Sequence, residues 1–273
     1  MKSEKYFAWI AILGLGTIAV TLGSFPNLFR YFYVVCIILL LIMARIAPSL
    51  RKYRFVLDAF FVIVLIWYLP LLSIYGKFHS SGKELFFRIF GKNDLVKMVA
   101  DNSISGLLWI LLPIILVLLE RDSLKSIFIK KGKKNGWLVG AFLLLILMAV
   151  GFFIAWRSDI HLKVYFSLLP LGLSFAVINA IKEEVLYRGL VFGRTLRFGF
   201  VFALLCQFLW FALIHILYSG AMGRNFGMFV GIGTFAVLSA WMTRKFGSLA
   251  CAVLVHAGID FIIFITSVPH YHS

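Results

Sequence analysis

Apolar residues in this chain come in long unbroken runs, with little of the alternation that marks strands or the one-sided stripes of soluble helices. Nine runs approach the roughly 20 residues that a helix needs to cross the hydrocarbon core of a bilayer: 6–24, 31–48, 55–75, 104–119, 136–156, 164–190, 201–218, 226–243 and 248–266. Helices are the spanning form that fits, because in lipid every backbone polar group must be satisfied within its own segment, and the alternation of barrel strands is missing. The pattern predicts an all-α, polytopic transmembrane helix bundle of about eight or nine spans. The first run lacks a small-residue cleavage site and leads at once into another span, so it reads as a membrane helix rather than a signal peptide. The longest polar stretch is 76–103. Within it, Leu85, Phe86, Ile89, Phe90 and Leu95 are interspersed with Lys and Arg, which predicts an interfacial helix over 84–99, with an ordered loop as the alternative.

Composition agrees with lipid as the solvent. Hydrophobic residues make up 62% of the 273 and charged residues 14%, and mean hydropathy is +1.00. A soluble domain is about 45–50% apolar and about 25% charged, so in water this chain would leave too much apolar surface exposed. The formal net charge of +16 raises the question of nucleic acid. The basic residues, however, sit in short loops between spans. One set of alternate loops holds seventeen of the 27 Lys and Arg, the other nine, and Lys182 lies inside a span. The positive-inside rule then places the N-terminus in the cytoplasm. Nine spans would put the C-terminus outside, and one span more or fewer would reverse it. The basic cluster from Lys125 to Lys134 is expected against anionic headgroups. The expected setting is the cell membrane, multi-pass, with the lipid bilayer as partner and no nucleic acid. Cys36, Cys206 and Cys251 fall in spans and read as buried free thiols. The expected organisation is N-terminal spans over 1–163, a core of catalytic type over 164–266, and a short tail over 267–273.

Ionisable residues inside a membrane are costly, so each needs a partner or a function. The last third of the chain has three groups of them. Glu183-Glu184-Val185-Leu186-Tyr187-Arg188 is an E-E-x-x-x-R pattern at the end of the sixth run. On an α-helix Glu184 and Arg188 share a face and can pair, while Glu183 points about 100° away and is left to titrate. Phe211 and His215 form F-x-x-x-H on the seventh run, and His256 and Asp260 form H-x-x-x-D in the last. Asp260 can orient the His256 ring or stabilise its protonated form. Ala257 and Gly258 between them leave room for another backbone or a substrate. Each group has a bland reading as well: an interfacial ion cluster, a packed histidine, and a polar pair gluing helices together. Together they supply an acid/base carboxylate and two imidazoles. Such a set can activate water and stabilise the anion formed at an amide carbonyl. Equally, His215, His256 and Glu183 match the two-His, one-carboxylate set that binds a divalent metal such as zinc. Spacing does not choose between the two chemistries. There is no H-E-x-x-H helix and no G-x-S-x-G elbow.

The ordered motifs E-E-x-x-x-R, F-x-x-x-H and H-x-x-x-[N/D], on successive helices across about 165–262, resemble those of the CAAX-processing and bacteriocin-processing (CPBP, Abi) intramembrane protease family. Thr243-Arg244-Lys245-Phe246-Gly247-Ser248-Leu249 also resembles the family's entry to its last motif. The resemblance implies an endopeptidase that cuts a membrane-associated peptide or protein. Glu183 would activate water with help from His215, His256 and Asp260 would stabilise the oxyanion, and Glu184, Arg188 and Phe211 would support the site. Family members have been described both as metalloproteases and as metal-free glutamate proteases, so the resemblance leaves the cofactor open. At position 260 the family usually has Asn, which can donate a hydrogen bond; an ionised Asp cannot. The alternatives are a non-catalytic immunity or scaffold member of the family and, behind it, a small transporter using the polar residues as an ion path. By the run boundaries Glu183 is shallow, whereas His215 lies deep in its span. A shared site therefore predicts that the sixth helix continues past Glu183 to about Phe192.

Overall fold

A computed structural model of the chain describes residues 2–22, 25–68, 73–157, 162–218 and 226–272. Among them there is no strand. The main helices are α1 (Lys2–Thr21), α2 (Asn27–Ile46), α3 (Arg54–Tyr68), α4 (Ser73–Phe90), α5 (Asp94–Leu119), α6 (Lys134–Arg157) and α7 (Leu162–Glu183). After them come the short α8 (Phe192–Thr195), then α9 (Phe200–Tyr218), α10 (Phe226–Phe246) and α11 (Ala250–His272). Seven helical stretches among the described residues are long and apolar enough to cross a membrane, from Asn27–Ile46 to Ala250–Ser267. The first and third runs are helical too but shorter: α1 is apolar over Tyr6–Thr21, and α3 has 15 residues. The chain is a multi-pass membrane protein built from a polytopic helical bundle. Large apolar side chains such as Phe142, Leu145, Phe153 and Trp156 on α6 face outward, as a helix bathed in lipid requires.

Two expectations about local structure meet the coordinates differently. The helix expected over 84–99 is interrupted. Gly91 takes φ +82, a left-handed conformation natural to glycine at a helix end, and closes α4. Asn93 then restarts the chain as α5, its Oδ1 accepting the Val96 N–H at 2.8 Å in an N-cap. The continuation of the sixth helix past Glu183 is present. Glu184–Val191 is a π-helix, followed by α8 and a 3-10 turn to Phe198.

The chain groups into two compact units, each assembled from separated segments. The first comprises residues 1–71, 112–127 and 187–241. Its centre is Trp210 on α9, fully buried against α1 and α3. Gly16 makes the approach possible, since a Cβ there would come within 2.1 Å of the indole. The indole N–H donates to Thr17 at 3.3 Å, and Phe60 meets the ring edge-on at 5.4 Å. Near the ends of these helices lies a buried ionic cluster. Arg194 on α8 donates to Glu120 and, at 2.8 Å, to Asp122. Asp58 on α3 takes Arg45 of α2 at 2.9 Å and stands 3.9 Å from Arg54. Arg194 is 2% exposed, so this residue, read in the sequence as a loop cation, spends its charge inside the protein.

The second unit comprises residues 72–111, 128–186 and 242–273. Here α11 packs along α6 and α7. Small residues set the distance: a Cβ on Gly140 of α6 would sit 3.0 Å from the Cys251 backbone, and one on Gly258 would sit 2.7 Å from Leu147. Gly258 thus serves helix packing rather than substrate entry. The three cysteines are free thiols.

The ionic cluster generates a pH prediction. Burial, with the neighbouring Asp58 adding to it against the pull of Arg194, raises the Glu120 carboxyl from its ordinary 4.5 to about 7. Asp122 is lowered, the bonds from Arg194, the Ser123 N–H and Ser126 outweighing the effect of burial. A group raised in the folded state stabilises most below its unfolded value and loses that contribution as pH rises through its folded value. Melting temperature in detergent should therefore fall between about pH 4.5 and 7 through Glu120, and Glu120→Gln should flatten that fall; an unchanged slope in the variant would refute it.

Candidate functional site in the second unit

Helix α7 ends at Glu183, Glu184 opens the π-helical stretch that follows, and α11 carries the last motif opposite them in the same unit. The start of α11 is fixed by its entry turn. Gly247 takes φ +69, the Ser248 N–H bonds the Thr243 carbonyl at 3.1 Å, and the Ser248 hydroxyl both accepts the Ala250 N–H and donates to the Lys130 carbonyl at 2.6 Å. This C-cap and hydroxyl clamp set the depth of His256, about two turns further on.

His256 is 4% exposed. Its Nδ1 lies 2.8 Å from Glu184 Oε1. A carboxylate can only accept, so Nδ1 carries the hydrogen and Glu184 fixes the ring plane. The other ring nitrogen, Nε2, faces Glu183 Oε2 and Asp260 Oδ2, each at 3.7 Å. Those separations exceed a direct hydrogen bond. Orienting the ring, which the sequence suggested for Asp260, falls to Glu184. Asp260 is in turn held by the Asn179 side-chain amide at 3.0 Å. Asn179 sits on α7 one turn before Glu183, and the sequence reading passed over it as one polar residue in an apolar run. Its place at i−4 from the acidic pair was the available signal. Lys182 is also buried, with its ammonium on the Asn102 side chain and 5.3 Å above the Trp109 ring, both from α5.

Three of the four expected catalytic residues, Glu183, His256 and Asp260, therefore come together here, with Glu184. His215, Phe211 and Arg188 belong to the first unit. There the His215 Nδ1 is 2.7 Å from the Phe211 carbonyl, so it donates within its own helix. The ring lies 4.3 Å from that of Phe211, and the Arg188 guanidinium stacks 4.0 Å over the Phe211 ring. Arg188 and Phe211 are fully buried or nearly so, which fits supporting roles.

Glu183, His256 and His215 were also weighed as metal ligands. Among the described residues, no three His, Cys, Asp or Glu side chains are gathered as metal ligands are. In the second unit His256 already spends Nδ1 on Glu184, and its Nε2 stands 3.7 Å from two carboxylates.

The Glu184 bond generates a stability prediction. Glu184→Ala would strand a buried ring N–H, at about 1–3 kcal/mol. Glu184→Gln keeps an acceptor oxygen. Melting in detergent should drop by several degrees in the alanine variant and clearly less in the glutamine variant; equal losses would mean the bond is not made.

Residues 165–262 match the family model described as Type II CAAX prenyl endopeptidase Rce1-like. No curated protein and no solved structure matches the chain. The matched segment begins near the start of α7, runs past Asp260, and contains all three motifs. Over that segment the chain is similar to the Type II CAAX prenyl endopeptidase family.

Proposed function

We propose that this protein is an intramembrane endopeptidase that hydrolyses a membrane-associated peptide by carboxylate-activated water. One observation carries the reading: within the segment matched by the family, two carboxylates stand 3.7 Å from one nitrogen of a buried imidazole. Acid/base groups gathered this closely are within reach of one another through a single bridging water, the distance over which a proton can be passed.

In the proposed sequence Glu183 takes a proton from water. The resulting hydroxide attacks the peptide carbonyl, and the carbonyl π pair moves onto oxygen. The His256 Nε2–H stabilises that oxyanion, the role of a preorganised donor in a dry site. Collapse of the tetrahedral intermediate breaks the C–N bond, and Glu183 returns its proton to the leaving amine. Glu184 holds the His256 ring throughout. The family resemblance assigns the assisting base to His215. Peptides near a lipidated cysteine are the substrate class proposed, since the family description names a prenyl endopeptidase. The N-terminus is proposed to be cytoplasmic, in the cell membrane, on the loop-charge argument.

One observation favours a second reading. Position 260 is Asp, and an ionised carboxylate gives no hydrogen bond to an oxyanion. A non-catalytic family member acting as an immunity or scaffold protein would tolerate that residue. The two readings separate on a single assay. The protein is reconstituted in liposomes and offered a fluorescence-quenched peptide bearing an S-farnesyl cysteine. Glu183→Gln and His215→Ala should each lower cleavage by at least about 10³-fold, the scale on which loss of an essential general base is felt. Biological function that survives both substitutions would support the scaffold reading.

A further inference from the structure

We infer that Asn179 is the positioning residue of this site: its amide N–H clamps Asp260 as the fixed partner of His256 and thereby leaves Glu183 to handle water. The inference rests on the peptidase reading above. Asn179 is assigned no role by the motifs, and it stands four residues before Glu183 on α7, so the two side chains leave one helix face a turn apart.

The geometry of one oxygen supports it. Asp260 Oδ2 lies 3.0 Å from the Asn179 Nδ2 and 3.7 Å from the His256 Nε2. Glu183 Oε2 lies at the same 3.7 Å from that ring nitrogen. Two carboxylates facing one nitrogen are otherwise equivalent, and like charges so placed compete for the single proton between them. An amide donor on one of them removes the equivalence. It fixes the direction of that carboxylate, and an amide has no proton of its own to trade at ordinary pH. Asp260 is 4% exposed, so water is a poor substitute for this donor. A carboxylate at 260 is workable here because the amide sits at 179, and the two side chains form a donor–acceptor pair whose members can be exchanged in principle.

Exchange is the test. Asn179→Asp puts two carboxylates against each other at almost unchanged volume. It should lower kcat for the S-farnesyl quenched peptide in liposomes by about ten- to a hundredfold with little change in KM, the worth of a hydrogen bond to a charged group. Adding Asp260→Asn to that variant restores one amide and one carboxylate and should recover about tenfold or more. A residue that only fills space would not be rescued by a change on the other helix. A second readout is independent of cleavage: ¹⁵N NMR of histidine-labelled protein should show the His256 ring signals displaced in Asn179→Ala and Asn179→Asp, and returned toward their original positions in the double variant. Wild-type cleavage and unmoved ring signals in Asn179→Asp, or failure of the second substitution to recover either readout, would overturn the inference. If the wild-type protein does not cleave the peptide while the ring signals respond as stated, the peptidase reading fails and the clamp stands.

Discussion

A charged or titratable group carried into lipid has no water to solvate it, so its partners must come from the protein itself. That constraint organises both units. In the second, one imidazole gathers three carboxylates from two helices, and an amide from a third position holds the last of them. In the first, a buried guanidinium on α8 is met by two acidic residues that follow α5. Neither arrangement could be assembled from residues close in sequence. The partners of His256 at Glu184 and of Asp260 at Asn179 are 72 and 81 positions away. Such contacts cost more to form than local ones, and they persist because breaking one would strand a buried charge.

Hydropathy made the membrane character plain, because 20 apolar residues in a row have few other uses. Boundaries were less legible. The Gly91 break within 84–99 is invisible to hydropathy and follows from a left-handed residue and an Asn cap. Among the site residues, Glu183, His256 and Asp260 announced themselves as ionisable groups in apolar runs. The division of labour between Glu184 and Asp260 did not, because i, i+4 spacing favoured Asp260 as the ring's partner while tertiary packing brought Glu184 closer. Asn179 was overlooked because an amide costs lipid less than a charge and so stands out less. Arg194 shows the opposite error: counted by sign and position as a loop cation, it proves to be one of the most enclosed side chains in the molecule.

The small residues of the second unit serve the same end by other means. Gly140 and Gly258 let α6 and α11 approach closely, which is how helices in lipid gain contact when no hydrophobic force drives them together. Close approach fixes α11 against its neighbours, and the entry turn at Gly247 and Ser248 fixes it along its axis. Between them these contacts determine where the His256 ring lies before any polar contact is made, so the bond to Glu184 is formed without further ordering of the backbone.

The π-helical stretch from Glu184 to Val191 carries a practical consequence for anyone mapping this protein. Wider turns mean that residues beyond Glu184 fall progressively out of step with a wheel drawn on 3.6 residues per turn. Cysteine-accessibility scans or crosslinking designs that count turns from α7 into α8 would attribute reactive positions to the wrong flank. Phase has to be reset at the doublet of acids and again at Phe192.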